Sequence, residues 1–435
     1  MAGFINGFSK LTREEKISAL ANQLQLSENS LDILNQFRLS DNESQKILDE
    51  LSENTLSNYS LPYGIAPNFL INGKVYHIPM VTEESSVVAA ASKAAKFWAE
   101  RGGFYTVVHS LDKIGQVHFL YKGNVGLLEE SMFEFKELAL KKTSHITQSM
   151  EKRGGGIRNI ELVNKTADLP NYFQLLVTFN TADAMGANFI NTCLEEIAST
   201  LKEYVETSPK FSENNRKIEM IMSILSNYNP ECLVESYLEC KVDDLNTIFQ
   251  NWTGKQYTEK FEMAVNIANI DIYRATTHNK GIFNGIDAVL IATGNDYRAI
   301  EAGAHTYASK SGQYRSLSNV TIENNVFRFS LKLPLTVGTV GGITAVHPLA
   351  KLSMQILQKP SAPQLMGIIA SVGLASNFAA VNALITSGIQ KGHMKMHLNN
   401  ILNQLNATET QKIKAINYFQ NKTISFSEVE NFIKG

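Results

Sequence analysis

The sequence predicts an α+β fold in which a large, mostly helical region is interrupted by a smaller insertion that mixes strands and helices. Three observations predict it. The chain has 435 residues, 44% of them hydrophobic, and only ten prolines, which suits compact cores in two or three domains. Helical periodicity recurs before residue 100 and after Pro230, whereas the intervening chain alternates strand-like and helix-like segments, the pattern of a separate α+β unit. No Gly-x-Gly-x-x-Gly or Walker-type loop occurs, so any dinucleotide must bind on another scaffold.

Each element has a local reason. Thr12 and Glu15 have capping-box spacing ahead of the stripe Ile17, Leu20 and Leu24, which predicts a short helix; two more helical stretches extend to about Leu51. From Leu61 to Met80 the prolines, Asn72-Gly73 and the alternation of GKVYHIPM predict a hairpin or loop with short strands. The small and apolar residues of TEESSVVAAASKAAKFWAE predict a tightly packed helix beginning close to Glu84. Composition changes at Arg101-Gly102-Gly103. Beyond it, strands are expected at Val117–Tyr121, Ile157–Val163 and Tyr172–Asn180, and helices at Leu127–Lys142 and Ala187–Glu206. After Pro230 come a strand in CLVESYLEC, a helix from about Thr258 to Ile270, an apolar strand in DAVLIATGND ending at Asp296, and the β-like LKLPLTVGTVGGITAVHP leading to a helix near His347. The long helix Gln364 to Ser387 has Gly388 just after it, as helix ends favour. Gly392 to Gly435 is a small helical tail with a second capping-box spacing at Ser425 and Glu428.

Composition excludes several function classes. A formal net charge of −2 gives no global attraction to nucleic acid or to an acidic membrane, so an anionic ligand must be held locally. Cys193, Cys232 and Cys240 form no Cys-x-x-Cys pair and are too few for a disulfide framework or a structural zinc site. The N-terminal MAGFINGFSKLTREEK lacks the apolar core of a secretion signal. Met366 to Ile385 is interrupted by Ser371, Ser376, Asn377 and Asn382 and is expected as a buried helix rather than a membrane span. A soluble, cytoplasmic protein is expected.

Candidate chemistry centres on Lys280, in TTHNKGIFNG, among His278, Asn279 and Asn284. A strand delivering Asp296 to its tip would bring that carboxylate back beside the lysine, keeping an ammonium charged and aimed at an oxyanion. A solvated loop lysine and a Schiff-base lysine are the alternatives, the latter disfavoured by a neighbouring aspartate. Glu83 and Glu84 precede an apolar helix, where the helix dipole alone would favour carboxylates. His393 and His397 have the spacing of a metal pair but no His-Glu-x-x-His pattern or third ligand, so no metal is expected; His393, beside Gly392, is the better candidate for a proton donor. TADAMGANFIN puts Gly186 at a strand-to-helix turn suited to phosphate. Lys136, Lys141, Lys142, Lys152, Arg153 and Arg158 around Gly154-Gly155-Gly156 give the insertion a basic face near that turn.

The stretches EESSVVAAAS, RGGGIRNIEL, DAMGANFINT, ATTHNKGIFNGIDAVLIATGNDYRAIEAGAHTYA, VGGITAVHPLA and GLASNFAAVNALITSGIQKGHM follow LPYGIAPNFLING in order. Through them the sequence resembles bacterial class II hydroxymethylglutaryl-coenzyme A reductases over nearly its whole length. The resemblance implies Glu84, Lys280, Asp296 and His393 as catalytic residues, Ser86, Arg274 and Asn284 as substrate contacts, and Asp183, Met185, Gly186, Asn188 and Asn227 on the dinucleotide side. It implies reduction of 3-hydroxy-3-methylglutaryl-CoA to mevalonate and CoA in two hydride transfers. Lys280 would stabilise each oxyanion, Asp296 would orient it, Glu84 would protonate the alcohol oxygen and His393 the departing thiolate. NADH-preferring relatives carry an acidic residue in the helix before the glycine run, where a carboxylate reads the ribose. Alignment places Thr143 there, behind Lys141 and Lys142, which favours NADPH over NADH; mevalonate oxidation with NAD is the alternative direction. Also implied are a homodimer with active sites near the interface, a large domain of residues 1–110 and 228–390, a small ferredoxin-like domain of residues 111–227 that binds the dinucleotide, and a C-terminal helical flap, residues 391–435, carrying His393.

Overall fold

The computed structural model describes residues 3–246, 248–249, 251–386, 388, 398, 400–419, 422 and 424–434. Helix α1 (Arg13–Leu24) starts from the expected capping box, Thr12 accepting from the Glu15 amide and Glu15 returning the bond. Helices α2 (Glu28–Gln36) and α3 (Asn42–Asp49) follow. Strands β1 (Tyr63–Ile71) and β2 (Lys74–Val81) form an antiparallel hairpin. Asn72 and Gly73, both at positive φ, make its turn, as two-residue hairpins require. Helix α4 (Val87–Ala99) packs on β1 and buries Ala91, Ala94, Ala95 and Trp98, and β3 (Tyr105–Val108) leads into the insertion.

The insertion runs β4 (Asp112–Tyr121), α5 (Val125–Glu151), β5 (Gly156–Asn164), β6 (Tyr172–Asn180), α6 (Ala187–Thr207) and β7 (Ile218–Leu225). Its antiparallel sheet has the order β5-β6-β4-β7, so the elements form a β-α-β-β-α-β arrangement. A core of its own includes Phe119, Phe135, Phe173, Phe179, Leu194 and Leu201. Two features depart from the sequence reading. Helix α5 continues nine residues past Lys142, and β7 closes the sheet over IEMIMSIL, where no element is expected from sequence.

The second part of the chain supplies β8 (Leu233–Lys241), α7 (Gly254–Ile270), α8 (Ile272–Thr293), α9 (Tyr297–Ala308), β9 (Ser318–Glu323), β10 (Val326–Pro334), α10 (Gly342–Val346), α11 (Pro348–Ile356) and α12 (Ala362–Ile385). Strands β3-β8-β10-β9 form a second four-stranded sheet, covered by α7 and α12. The expected strand in DAVLIATGND is instead the second half of α8. An unbroken apolar run does not distinguish a buried strand from a buried helix, and here the helical periodicity set by the Asp271 cap, which accepts from the Arg274 amide at 2.7 Å, continues through it.

Helix α12 is buried at the centre of the large core, against α4, α8 and β8. Length and composition alone would let it cross a membrane, but most of its apolar window is inside the protein. In the tail, helices Glu409–Tyr418 and Phe426–Lys434 gather around a small separate core with Leu402 and Phe419. Ser425 Oγ accepts from the Glu428 amide at 3.3 Å and donates to Glu428 Oε2 at 3.1 Å.

Candidate active site

Lys280 lies mid-helix on α8, not in a loop, and the neighbouring glycines serve helix packing. A Cβ at Gly285 would sit 2.4 Å from Ser376 Oγ and 2.8 Å from the Val372 carbonyl, while Gly281 faces Ala380; α8 and α12 therefore run antiparallel in near contact. His278 and Asn279 are also structural. His278 is 1% exposed with Nε2 2.7 Å from Ser318 Oγ, and burial, then the Arg274 charge, pushes its pKa down to about 3. Asn279 donates to the Arg315 carbonyl at 2.8 Å and accepts from the Leu317 amide at 3.0 Å. These bonds pin the back of α8 and leave Lys280 on the opposite side, 59% exposed.

There Lys280 Nζ donates to Glu84 Oε2. Glu84 belongs to the loop before α4, where its amide donates to Thr82 Oγ1 at 3.1 Å and Ser86, at φ 74°, starts the helix without a side-chain cap. Between α4, α8 and α12 opens a cavity of about 590 Å³, lined among others by Glu84, Ser86, Asn284, Phe97 and Asn382. Asn284 is one turn from Lys280 and Arg274 is half-buried nearer the start of the helix, its pKa lowered by burial.

The two adjacent glutamates are separated by their neighbours. Glu84 meets Lys280, whereas Glu83 acts on Asp287, two turns further along α8. Burial first, then the charge of Glu301 and a hydrogen bond with it, then the charge of Glu83, push the Asp287 pKa up to about 8. Two carboxyls can hydrogen-bond only by sharing a proton. The sequence reading missed Asp287 and Glu301; the signal was an aspartate inside an apolar run.

A second cluster surrounds the start of α6. Gly186 caps that helix at φ 91°, and a Cβ there would lie 2.4 Å from Thr181 Cγ2, so the turn requires glycine. Asp183 fixes the turn to the large part of the chain. Its Oδ1 accepts from the Ala362 amide at 2.7 Å, and its carbonyl from the Thr339 amide at 2.8 Å. Asn227 lines a narrow cleft with Lys113, Met185 and Ala187, and its carbonyl lies against Gly303 of α9. Asn188 is exposed. Asp296 belongs here, as the cap of α9: its Oδ1 accepts from the Arg298 and Ala299 amides at 3.1 and 3.2 Å. Its neighbour Asn295 accepts from the Gly338 amide at 2.8 Å, and Gly338 packs on Met185.

The expected Lys280–Asp296 pair is not formed within the chain; among the described residues the carboxylate on Lys280 is Glu84. The reason is the helix. Thr293 lies thirteen positions beyond Lys280 on α8, about 20 Å of axial rise, far beyond an ion-pair contact of about 4 Å. Helix α12 is an independent ruler: Ala362 touches Asp183, and Ser376 touches Gly285, again about 20 Å apart. The predicted residues thus form two groups, one beside Lys280 near the middle of α8 and one beyond the C-terminal end of that helix.

Thr143 does not read a ribose. It is fully buried between α5 and the rest of the insertion's core, and its hydroxyl donates to the Ala139 carbonyl at 2.8 Å. Lys141 and Lys142 face solvent, Lys142 pairing with Glu203 at 3.3 Å. His393 and His397 lie outside the described residues. Among the described residues there is no group of three or more His, Cys, Asp or Glu side chains that could hold a metal ion.

Comparison with known proteins gives this divided site its context. The family model for hydroxymethylglutaryl-coenzyme A reductase matches residues 12–398. A relative from Archaeoglobus fulgidus, 3-hydroxy-3-methylglutaryl-coenzyme A reductase, is 36% identical over 410 residues, covering 94% of this chain and 88% of its own. The class II 3-hydroxy-3-methylglutaryl-CoA reductase of Streptococcus pneumoniae bound to NADPH in open conformations is 39% identical with a TM-score of 0.71, covering 88% of this chain and 99% of its own. A second S. pneumoniae structure of the reductase is 37% identical, with a TM-score of 0.72 and 99% coverage of both chains. A match that spans both half-sites and both four-stranded sheets makes this chain a member of the hydroxymethylglutaryl-coenzyme A reductase family, in its class II branch.

Proposed function

We infer that the protein reduces 3-hydroxy-3-methylglutaryl-CoA to mevalonate and free CoA with NADPH, in the mevalonate route to isoprenoids. The observation that carries the reading is the Glu84–Lys280 ion pair at the mouth of the 590 Å³ cavity, in a chain with this family membership. Bound NADPH supplies hydride, once to the thioester and once to the aldehyde. Lys280 stabilises the negative charge that each transfer leaves on the carbonyl oxygen. Glu84, at the same nitrogen, relays a proton taken up from solvent to the oxygen that becomes the alcohol. His393 protonates the departing CoA thiolate, a task suited to an imidazole. Ser86, Arg274 and Asn284 hold the substrate. Imine chemistry is not favoured, since it needs a free amine and Lys280 is engaged by Glu84.

On the same reading residues 111–227 are a ferredoxin-like dinucleotide domain, residues 1–110 and 228–390 the substrate domain, and residues 391–435 a flap. Asp183, Met185, Gly186, Asn188 and Asn227 hold the dinucleotide, with Lys141 and Lys142 assigned to the 2′-phosphate. The working unit is a cytoplasmic homodimer in which Asp296 and the cofactor half-site of one copy complete the Lys280 half-site of the other. Two facts support this: the half-sites are about 20 Å apart along α8, and exposed apolar side chains flank each. Ile270 and Tyr273 stand at the start of α8, and Val340, Ile343, Val346 and Leu349 around α10, all 45–84% exposed; unpartnered patches of this kind mark protein interfaces. The decisive experiment follows the near-ultraviolet absorbance of NADPH with 3-hydroxy-3-methylglutaryl-CoA, repeated with NADH. Substrate-dependent decay, faster with NADPH, is expected; no decay with either cofactor overturns the reading.

A further inference from the structure

One buried cation has no part in the scheme above. Lys113, near the start of β4, is 3% exposed. Its Nζ donates to Thr181 Oγ1, to the Ala184 carbonyl at 2.9 Å and to the Met185 carbonyl at 3.1 Å. These acceptors use all three ammonium protons, yet all three are neutral. Burial lowers the pKa of Lys113, and the one ionisable neighbour acting on it is the buried Cys232 thiol. A buried ammonium facing only neutral groups lacks the counter-charge that such a group ordinarily has. Among the described residues no ion pair joins Lys113 to its chain neighbour Asp112, and Asp183, at the turn, directs its carboxylate away to the first amide of α12.

The same turn opens α6, whose cap Gly186 offers no side chain to its amides. The first intrahelical bond there is from the Ile190 amide to the Gly186 carbonyl, so the amides of Ala187, Asn188 and Phe189 have no acceptor within the helix. A helix N-terminus and an ammonium carry the same sign. Placed back to back around four residues, they disfavour each other until an anion arrives between or before them.

We propose that Lys113 is the positioning residue of the cofactor site: it draws the Thr181 hydroxyl and the Ala184 and Met185 carbonyls inward, which turns the α6 amides outward, and its charge is complemented by the dinucleotide's diphosphate. This rests on the assignment of the Gly186 turn to the dinucleotide. Lys113 itself does not touch the reacting atoms. Its role is to keep the carbonyl side of the turn away from an anionic ligand and to place a positive charge behind the amide side.

The test uses the full-length enzyme with Lys113→Met, of similar length and without charge, and Thr181→Val, which removes the shared hydroxyl. NADPH affinity is measured by calorimetry, and KM is measured for each substrate. Lys113→Met is expected to raise the NADPH Kd and KM by about tenfold or more, the scale of one lost charge-assisted support, while KM for 3-hydroxy-3-methylglutaryl-CoA stays within about twofold. Affinity for reduced nicotinamide mononucleotide, which lacks the diphosphate link, is expected to be unchanged. Thr181→Val is expected to shift NADPH affinity in the same direction and carries the test if Lys113→Met does not fold. Variants with wild-type NADPH affinity, or with equal losses for both substrates and for the mononucleotide, overturn the proposal while leaving the reductase reading intact. Wild-type enzyme that turns over without binding NADPH overturns the cofactor assignment beneath it.

Discussion

If each active site draws Lys280 from one copy and Asp296 from the other, two dead enzymes must be able to make a live one. Lys280→Ala removes the cation and is expected to lower kcat by a factor on the order of 10² to 10³ or more; Asp296→Ala is expected to be severely impaired as well. In a mixed dimer, the Lys280 of the Asp296→Ala copy meets the Asp296 of the Lys280→Ala copy, giving one intact site, while the other site carries both defects. A two-fold dimer has two equivalent sites, so the mixed species should show about half the wild-type activity. The magnitude follows from the span of α8, about 20 Å between Lys280 and Thr293, which rules out assembly of the pair within one chain. Co-expression of the two variants with different affinity tags, followed by purification on both, isolates the mixed dimer, and NADPH oxidation is then measured per dimer. Activity no higher than that of either parent would refute the reasoning, because two residues acting in the same chain are never both intact in such a dimer.

Other expectations follow from single side chains. The Asp287 pKa, raised from 3.8 to about 8, means the native state loses stability as pH rises from about 4, where the unfolded chain ionises, to about 8, where the folded group does. Between pH 4 and pH 7 this loss grows to at most about 4 kcal/mol. Water access and the proton shared with Glu301 reduce this to roughly 2 kcal/mol. Asp287→Asn keeps a donor for Glu301 and should be more stable than wild type by about that amount near pH 8, with the gap closing near pH 4 in urea unfolding; a gap independent of pH would exclude the shared proton. Gly186→Ala, forced to φ 91° with its Cβ against Thr181, should cost roughly 1–3 kcal/mol of stability and raise the NADPH KM without affecting that of the thioester. His393→Gln should slow reduction of the thioester far more than that of free mevaldehyde, whereas Lys280→Ala should slow both by about 10² or more; equal losses on the two substrates in His393→Gln would remove the thiolate role.

Much of this was legible in the sequence because local chemistry decided it. The Thr12–Glu15 box, the Asn72-Gly73 turn, and the Gly186 turn are each set by side chains within a few residues of one another. What was not legible depends on packing partners distant in sequence. The surroundings of Lys280 look like a ligand loop until α12 is present. Ser376 and Val372 then explain Gly285, Ser318 explains His278, and the Arg315 carbonyl explains Asn279. Likewise the resemblance aligns Thr143 with a cofactor-reading position, a match that sequence alone cannot separate from the core face of α5, on which Thr143 lies buried.

The same distinction accounts for the divided site. A run such as DAVLIATGND is apolar whether it is a strand or a helix, and the difference decides which residues can meet. As a strand followed by a turn, it would return Asp296 to its own Lys280. As a helix it holds them apart by a rigid length, set by its hydrogen bonds and by its close contact with α12. The residues proposed to stabilise an oxyanion and those proposed to hold a dinucleotide are then held about 20 Å apart on one scaffold, each near exposed apolar surface. On the proposed assignment, a monomer of this chain carries the predicted groups without a complete site, and the proposed dimer becomes a condition for the chemistry rather than an addition to it.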